Sequence, residues 1–359
     1  MTDPRYETLM GRGPERLVHW EHFSNPDAAT CIAGMDYYGH PRKCMEKINR
    51  MYPFLYLPVP GSDSPIPRIE EQKDKGKGRW GAAYRDSWQQ QEASHVFKSV
   101  DEMLKFSPLE HADFSSWDIP EAGDYRDEET IYARMRKGFP DEWADGVPEG
   151  SEWLAGAGFY NTMFMWPLLV FGYENFLSIC MEPEFDRIMD EFAQINRRVF
   201  RAIAKLPVKW VCPHDDIVTS AGPLCSPAWL RKHIFPRYEE FFAMLKDAGK
   251  EIDFMTDGCA DIVADDIMKM GVRGIISEPY TNYRAIAQKH KDCFLAGEGD
   301  VRVLMRNRPD EIKKMVLSMV ETAKMSAGYM MCIGNHIPYN VPPEAVRLYF
   351  DLSAELGCR

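Results

Sequence analysis

The chain has no CxxC pair, no apolar run approaching the ~20 residues of a membrane span, and no excess of positive charge. Each absence removes a class of function. Nine cysteines, an odd number, lie scattered, several in apolar stretches, which reads as reduced thiols in a cytoplasmic protein. A net charge of −12 leaves no electrostatic footprint for nucleic acid. No membrane association is expected, and Met1 to Arg12 is polar, without the apolar core of a signal peptide. No GxGxxG follows any strand candidate, and there is no P-loop, so a dinucleotide-binding doubly wound sheet is not indicated. Low-complexity tracts and short repeats are absent as well.

What remains is a chain of 359 residues, 45% hydrophobic, which is enough to bury a sizeable core. Its C-terminal half alternates short apolar runs with helical stretches. Val208 to Cys212, Ile252 to Met255, Val272 to Ser277, Cys293 to Ala296 and the run ending at Cys332 read as strands. Pro227 to Ala248, Ala260 to Met270, Arg284 to His290, Pro309 to Ala327 and Pro342 to Leu356 read as the helices between and after them. The N-terminal half adds Leu17 to Trp20, Cys31 to Met35, Phe54 to Val59 and Gly158 to Met165 as strand candidates. Strands alternating with helices imply a parallel sheet, and together these candidates can make the eight strands of an α/β fold of the (β/α)8 TIM-barrel type. We expect one barrel domain over residues 1–359, with an irregular insertion around 58–94 that carries Pro58, Pro60, Pro65, Pro67 and the charged run Glu70 to Lys77.

In such a barrel the carboxyl ends of the strands carry the chemistry. The densest group is His214-Asp215-Asp216. Neighbours on an extended strand face opposite sides, so one carboxylate faces the site and the other caps or pairs. The residues leave open which does what. Asp257 and Cys259 follow the next strand, and Glu298 sits between glycines that let the backbone approach a ligand. Met330-Met331-Cys332-Ile333-Gly334-Asn335-His336 is an apolar run that stops at a glycine and two polar side chains. Asn335 could bind a substrate oxygen or simply occupy a left-handed turn. The catalytic candidates are therefore His214, Asp215, Asp216, Glu298 and His336. Substrate-binding candidates are Asn335, Tyr160, Asp257, His22 and Glu21. His214, Asp257, Cys259, Glu298, Cys332 and His336 are the candidate metal ligands, with zinc as the metal they would suit. The stretch Gly158 to Trp166 has the aromatic and methionine content of a wall for an aromatic ligand, or of a core.

Taken together, these segments resemble the uroporphyrinogen decarboxylase superfamily, which includes corrinoid-dependent methyltransferases. The matching pieces are His214-Asp215-Asp216 with Gly222-Pro223-Leu224-Cys225-Ser226-Pro227, then Phe235-Pro236-Arg237-Tyr238, Thr256-Asp257-Gly258, Gly297-Glu298-Gly299-Asp300, and Gly334-Asn335-His336-Ile337-Pro338 with Val341-Pro342-Pro343-Glu344. The resemblance covers nearly the whole chain and implies the same (β/α)8 barrel. Two departures bear on activity. The decarboxylases carry an early arginine-rich stretch that grips a polycarboxylate, and here the corresponding region is Glu21-His22-Phe23-Ser24-Asn25. The thiol-methylating branch carries a His and two Cys as zinc ligands, and those positions fall on Met255, Asp257 and Asn335.

The resemblance then implies the other methyl-transfer branch. The expected function is demethylation of a small methyl donor, foremost an aromatic methyl ether, with the methyl group passed to cob(I)alamin. The corrinoid (cobalamin) would reside on a partner protein, and the chain could itself form a homodimer. Methylamines, halomethanes and thioethers stay open as donors. The alternatives are a decarboxylase of the uroporphyrinogen type, a methylcobalamin-dependent methyltransferase with another acceptor, and a non-catalytic binding protein of this fold.

Overall fold

The computed structural model describes residues 4–68, 97–144 and 156–359. Eight principal strands occur in chain order: β1 (Val18–Trp20), β2 (Leu55–Tyr56), β3 (Gly156–Phe159), β4 (Trp210–Pro213), β5 (Glu251–Met255), β6 (Gly274–Ile276), β7 (Phe294–Ala296) and β8 (Gly328–Met331). Helices alternate with them along the chain, which is the α/β pattern expected. Contacts divide the chain into two compact units, residues 1–86 with 276–359, and residues 87–275.

In the first unit β2, β1, β8 and β7 pair side by side, all parallel, with Val18 opposite Met330 and Ala296 opposite Met330 on the other edge. Strand β8 is buried along its whole length, as a parallel strand covered on both faces must be. His19 packs against Phe54, Tyr349 and Phe350 in the core of this unit. Helix Pro343–Leu356 supplies the last two rings.

In the second unit β3, β4 and β5 pair in parallel, and the Arg273 N–H, just before β6, bonds the Ile252 carbonyl at 2.6 Å. Its core is aromatic. Trp166 meets Phe114, Tyr125, Phe159 and Phe192 with ring centroids 4.8–5.6 Å apart, mostly edge-on or tilted. Met163, Phe164, Met165 and Trp166 are fully buried, so the Met- and aromatic-rich run is core from Asn161 on, and Tyr160 is partly open.

Three expectations are corrected. Cys31–Met35 is not a strand: Cys31 to Ala33 end helix Pro26–Ala33. The Asn25 side chain accepts from the Ala28 N–H, Pro26 pre-sets the first turn, and Gly34 closes the helix at φ 61°. The third strand is Gly156–Phe159, and Met165 onward is helix Met165–Phe171. The long helix after β4 is two, Pro227–His233 and Phe235–Asp247. Pro236 has no N–H to continue the first helix and suits the first turn of the second. The expected insertion is without helix or strand from Pro58 to Arg68, and from residue 69 it lies outside the described residues. No helix among the described residues is long and apolar enough to cross a membrane.

Candidate functional site

The His214-Asp215-Asp216 segment leaves the end of β4 in the second unit, and its two carboxylates go separate ways. Asp215 is fully buried. Its carboxylate accepts the backbone N–H groups of Met163, Phe164 and Met165 at 2.6–2.7 Å, and the Tyr238 hydroxyl at 2.5 Å. The three N–H groups belong to the entry of helix Met165–Phe171, where a carboxylate satisfies donors the helix cannot. Burial pushes the Asp215 carboxyl up to about 6, against the pull of these donors. Asp215 is a structural clamp.

Asp216 does the opposite. Its Oδ2 accepts from the Tyr160 hydroxyl at 2.9 Å. Its Oδ1 accepts from the Asp257 N–H at 2.8 Å and lies 3.0 Å from His214 Nε2. The His214 ring stands edge-on to the Tyr160 ring, centroids 4.5 Å apart. Burial raises the Asp216 carboxyl, but the His214 bond and charge, the Asp257 N–H and Tyr160 outweigh it and hold it below its ordinary value. For His214 burial works against the charged form. The bond to Asp216 and the charges of Asp216, Asp257 and Asp215 win, and the imidazole lies above its ordinary value of 6.5. Among the described residues Nδ1 of His214 makes no hydrogen bond, and the side chain is 24% exposed. The group is thus an anchored carboxylate, an imidazole biased toward its protonated form, and one ring nitrogen left open.

His214, Asp216 and Asp257 each offer a ligand atom, and these atoms lie within 4.8 Å of one another. One nitrogen and two oxygens could hold a divalent cation. Cys259 is half-buried, and its N–H bonds the Thr219 carbonyl. Sequence reasoning missed Glu121. Its carboxylate accepts the Tyr160 N–H at 2.9 Å, and its backbone has the positive φ of 54° that side-chained residues rarely adopt. It comes from an irregular stretch with no motif, so nothing in the sequence marks it.

The other expected residues lie in the first unit. Glu21 is fully buried, 2.6 Å from His19 Nε2, and accepts the Ile333 N–H. It fixes the loop after β8 from within, and its interior position does not suit substrate contact. His22 is exposed beside the Trp20 ring. Asn335 holds the left-handed turn, φ 71°, and its Oδ1 lies 2.7 Å from His336 Nδ1. Burial holds His336 below its ordinary value. Burial and the nearby Glu21 push the Cys332 thiol well up, which disfavours the thiolate a metal would need. Glu298 accepts from Thr322 at 3.0 Å and Tyr329 at 2.8 Å, and lines a cavity of about 480 Å³ against helix Pro309–Ala323.

The chain is similar over 98% of its length to 98% of a methyltransferase from Methanosarcina mazei, with a TM-score of 0.54 and 16% identity. A xylose isomerase-like TIM barrel protein from Mycobacterium smegmatis, solved with magnesium, matches 66% of the chain and 92% of its own length at a TM-score of 0.30 and 10% identity. No curated protein matches the sequence. The first likeness agrees with the TIM-barrel-like α/β fold. Residues 163–356, more than half of the chain and including His214, Asp216 and Asp257, match the family described as uroporphyrinogen decarboxylase (URO-D), and the protein belongs to that family.

Proposed function

We propose that this protein is a methyltransferase that demethylates a small methyl donor, foremost an aromatic methyl ether, and passes the methyl group to the cob(I)alamin of a corrinoid protein. The observation that carries the reading is the Tyr160–Asp216–His214 group with its open ring nitrogen. A phenoxide is a poor leaving group, so cleavage of the methyl–oxygen bond needs a proton at the ether oxygen. His214 holds that proton. Asp216 fixes the ring through Nε2 and stabilises its charge, and Nδ1–H is the donor to the oxygen. Tyr160 and the Asp257 N–H keep Asp216 ionised and in place. The corrinoid of the partner supplies the nucleophile, so the chain needs none of its own. Family membership and the methyltransferase among its structural neighbours support methyl transfer or decarboxylation in general.

The charge at the site favours the first of these. Asp215, Asp216 and Asp257 surround His214, and such a site repels a polycarboxylate. The test is reconstitution of the purified chain with a corrinoid protein reduced to the cob(I)alamin state. Methoxylated aromatics should convert the spectrum to that of the methylated corrinoid, with release of the phenol. If no methoxylated aromatic, methylamine, halomethane or thioether does so, the reading fails. Release of carbon dioxide from uroporphyrinogen instead would establish the decarboxylase.

A further inference from the structure

We propose, on the reading that His214 delivers the proton, that Glu121 is a positioning residue for methyl transfer. It clamps the peptide group between Phe159 and Tyr160 and so holds the Tyr160 hydroxyl on Asp216. A trans peptide group points its C=O and its N–H to opposite sides. At the end of β3 both sides are engaged. The Phe159 carbonyl accepts the His214 N–H at 3.0 Å, and the Tyr160 N–H donates to Glu121 Oε2 at 2.9 Å. The same carboxylate oxygen lies 3.5 Å from the Asn161 nitrogen. One side of this peptide group is thus fixed by the residue that carries the imidazole and the other by Glu121. Among the described residues the Tyr160 N–H has no other acceptor.

The stretch that carries Glu121 is built to hold it there. Pro120 and Glu121 are the central residues of a turn closed by the Ala122 N–H on the Ile119 carbonyl at 3.2 Å. With φ 54°, Glu121 stands where glycine would be easier. A side-chained residue keeps such a conformation only where its neighbours enforce it. Here the Tyr125 hydroxyl donates to the Glu121 carbonyl, and the buried Asn161 donates through Nδ2 to the Pro120 carbonyl. The turn is therefore docked onto the segment it positions, through both its backbone and its carboxylate. Tyr160 reaches Asp216 Oδ2 at 2.9 Å from the far end of its side chain. A modest rotation of its peptide group swings the hydroxyl further than a hydrogen bond tolerates. An ionised acceptor on the Tyr160 N–H resists that rotation more strongly than a neutral one would.

The experiment uses the full chain in the corrinoid assay described above. Glu121→Gly deletes the carboxylate and suits the positive φ, so the backbone of the turn is not strained by the change. Glu121→Gln keeps an oxygen for the Tyr160 N–H and loses only the charge. Glu121→Gly should lower kcat/KM roughly tenfold, and Glu121→Gln should recover most of that loss. Because Glu121 acts through Tyr160, Glu121→Gly made in a Tyr160→Phe chain should cost less than about threefold. Carbon-detected NMR of Asp216 in the substrate-free protein should place its carboxyl higher in Glu121→Gly than in Glu121→Gln. Both variants lack the charge, so the difference reads the Tyr160 bond. Full additivity of Glu121→Gly with Tyr160→Phe, or the same Asp216 value in the two Glu121 variants, overturns the proposal. If the wild-type chain methylates no corrinoid, the functional reading fails, and the Asp216 comparison still decides whether Glu121 holds Tyr160 in place.

Discussion

Asp215 and Asp216 are bonded neighbours, yet the first accepts from the N–H groups of Met163, Phe164 and Met165 and the second from Tyr160 and Asp257. On the proposed reading one aspartate builds and the other acts, and substitution separates the two roles. Asp215→Asn keeps the volume but presents an amide to donors that need an acceptor. It should lower the free energy of unfolding by about 3 kcal/mol. Asp216→Asn should cost less stability, because its carboxylate has three partners where that of Asp215 has four, and should lower kcat/KM by roughly 100-fold or more. Urea titration beside the methyl-transfer assay reads both. Equal stability loss in the two variants would remove the distinction.

The pH dependence follows from His214. Its folded value is raised above 6.5, so the stability it contributes is complete below 6.5 and is lost as pH rises through the folded value. Asp216 is lowered from 3.8, so its contribution is present above 3.8 and is lost as pH falls through its folded value. Activity that requires protonated His214 should decline on the alkaline side of the His214 value. Asp216→Gln removes the main partner of the imidazolium and should move that alkaline limb to lower pH. A kcat/KM profile whose alkaline limb stays in place on this change would show that another group supplies the proton.

Tyr160→Phe deletes one donor to Asp216 and leaves the ring against His214. A hydrogen bond to a charged group contributes about 1.5–3 kcal/mol. The loss should appear as a kcat/KM lower by roughly 10- to 100-fold. The Asp216 carboxyl should rise, which carbon-detected NMR of that side chain would follow. An unchanged carboxyl would mean that the hydroxyl is a spectator.

Gly258 follows Asp257 at φ 97°, and a Cβ there would stand 2.5 Å from the carbonyl carbon and oxygen of Thr219. Those atoms are backbone and cannot swing aside. Gly258→Ala should therefore destabilise by about 2 kcal/mol or more and displace the Asp257 N–H from Asp216. Thermal unfolding measures the first effect. A Gly258→Ala variant with a lowered unfolding temperature but undiminished kcat/KM would argue against the displacement.

Much of this was legible in the residues, for identifiable reasons. Apolar runs that stop at polar residues marked β4, β5 and β8, because a buried parallel strand is largely apolar and polar residues gather where it ends. The same logic brought out His214, Asp216 and Asp257. Cys31–Met35 misled because a short apolar run looks alike in a strand and at a helix end, and here Asn25 and Gly34 were the better signals. The Gly158 to Met165 strand candidate ran too far because the helical entry at Met163–Met165 is fixed by Asp215, some fifty residues away in sequence. Which aspartate faces inward and where Glu121 sits are tertiary facts. No local pattern encodes them.

The Asp215 clamp has a further consequence. It ties the end of β4 to the turn that carries Tyr160, so the imidazole, its carboxylate and the phenol are assembled as the chain folds. On the proposed reading, a proton donor already in position has little reorganisation left to undergo when a methyl donor arrives. The titration of His214 should then be nearly the same with and without substrate, and the specificity of the protein should reside in whatever shapes the space before Nδ1 and not in the proton donor itself.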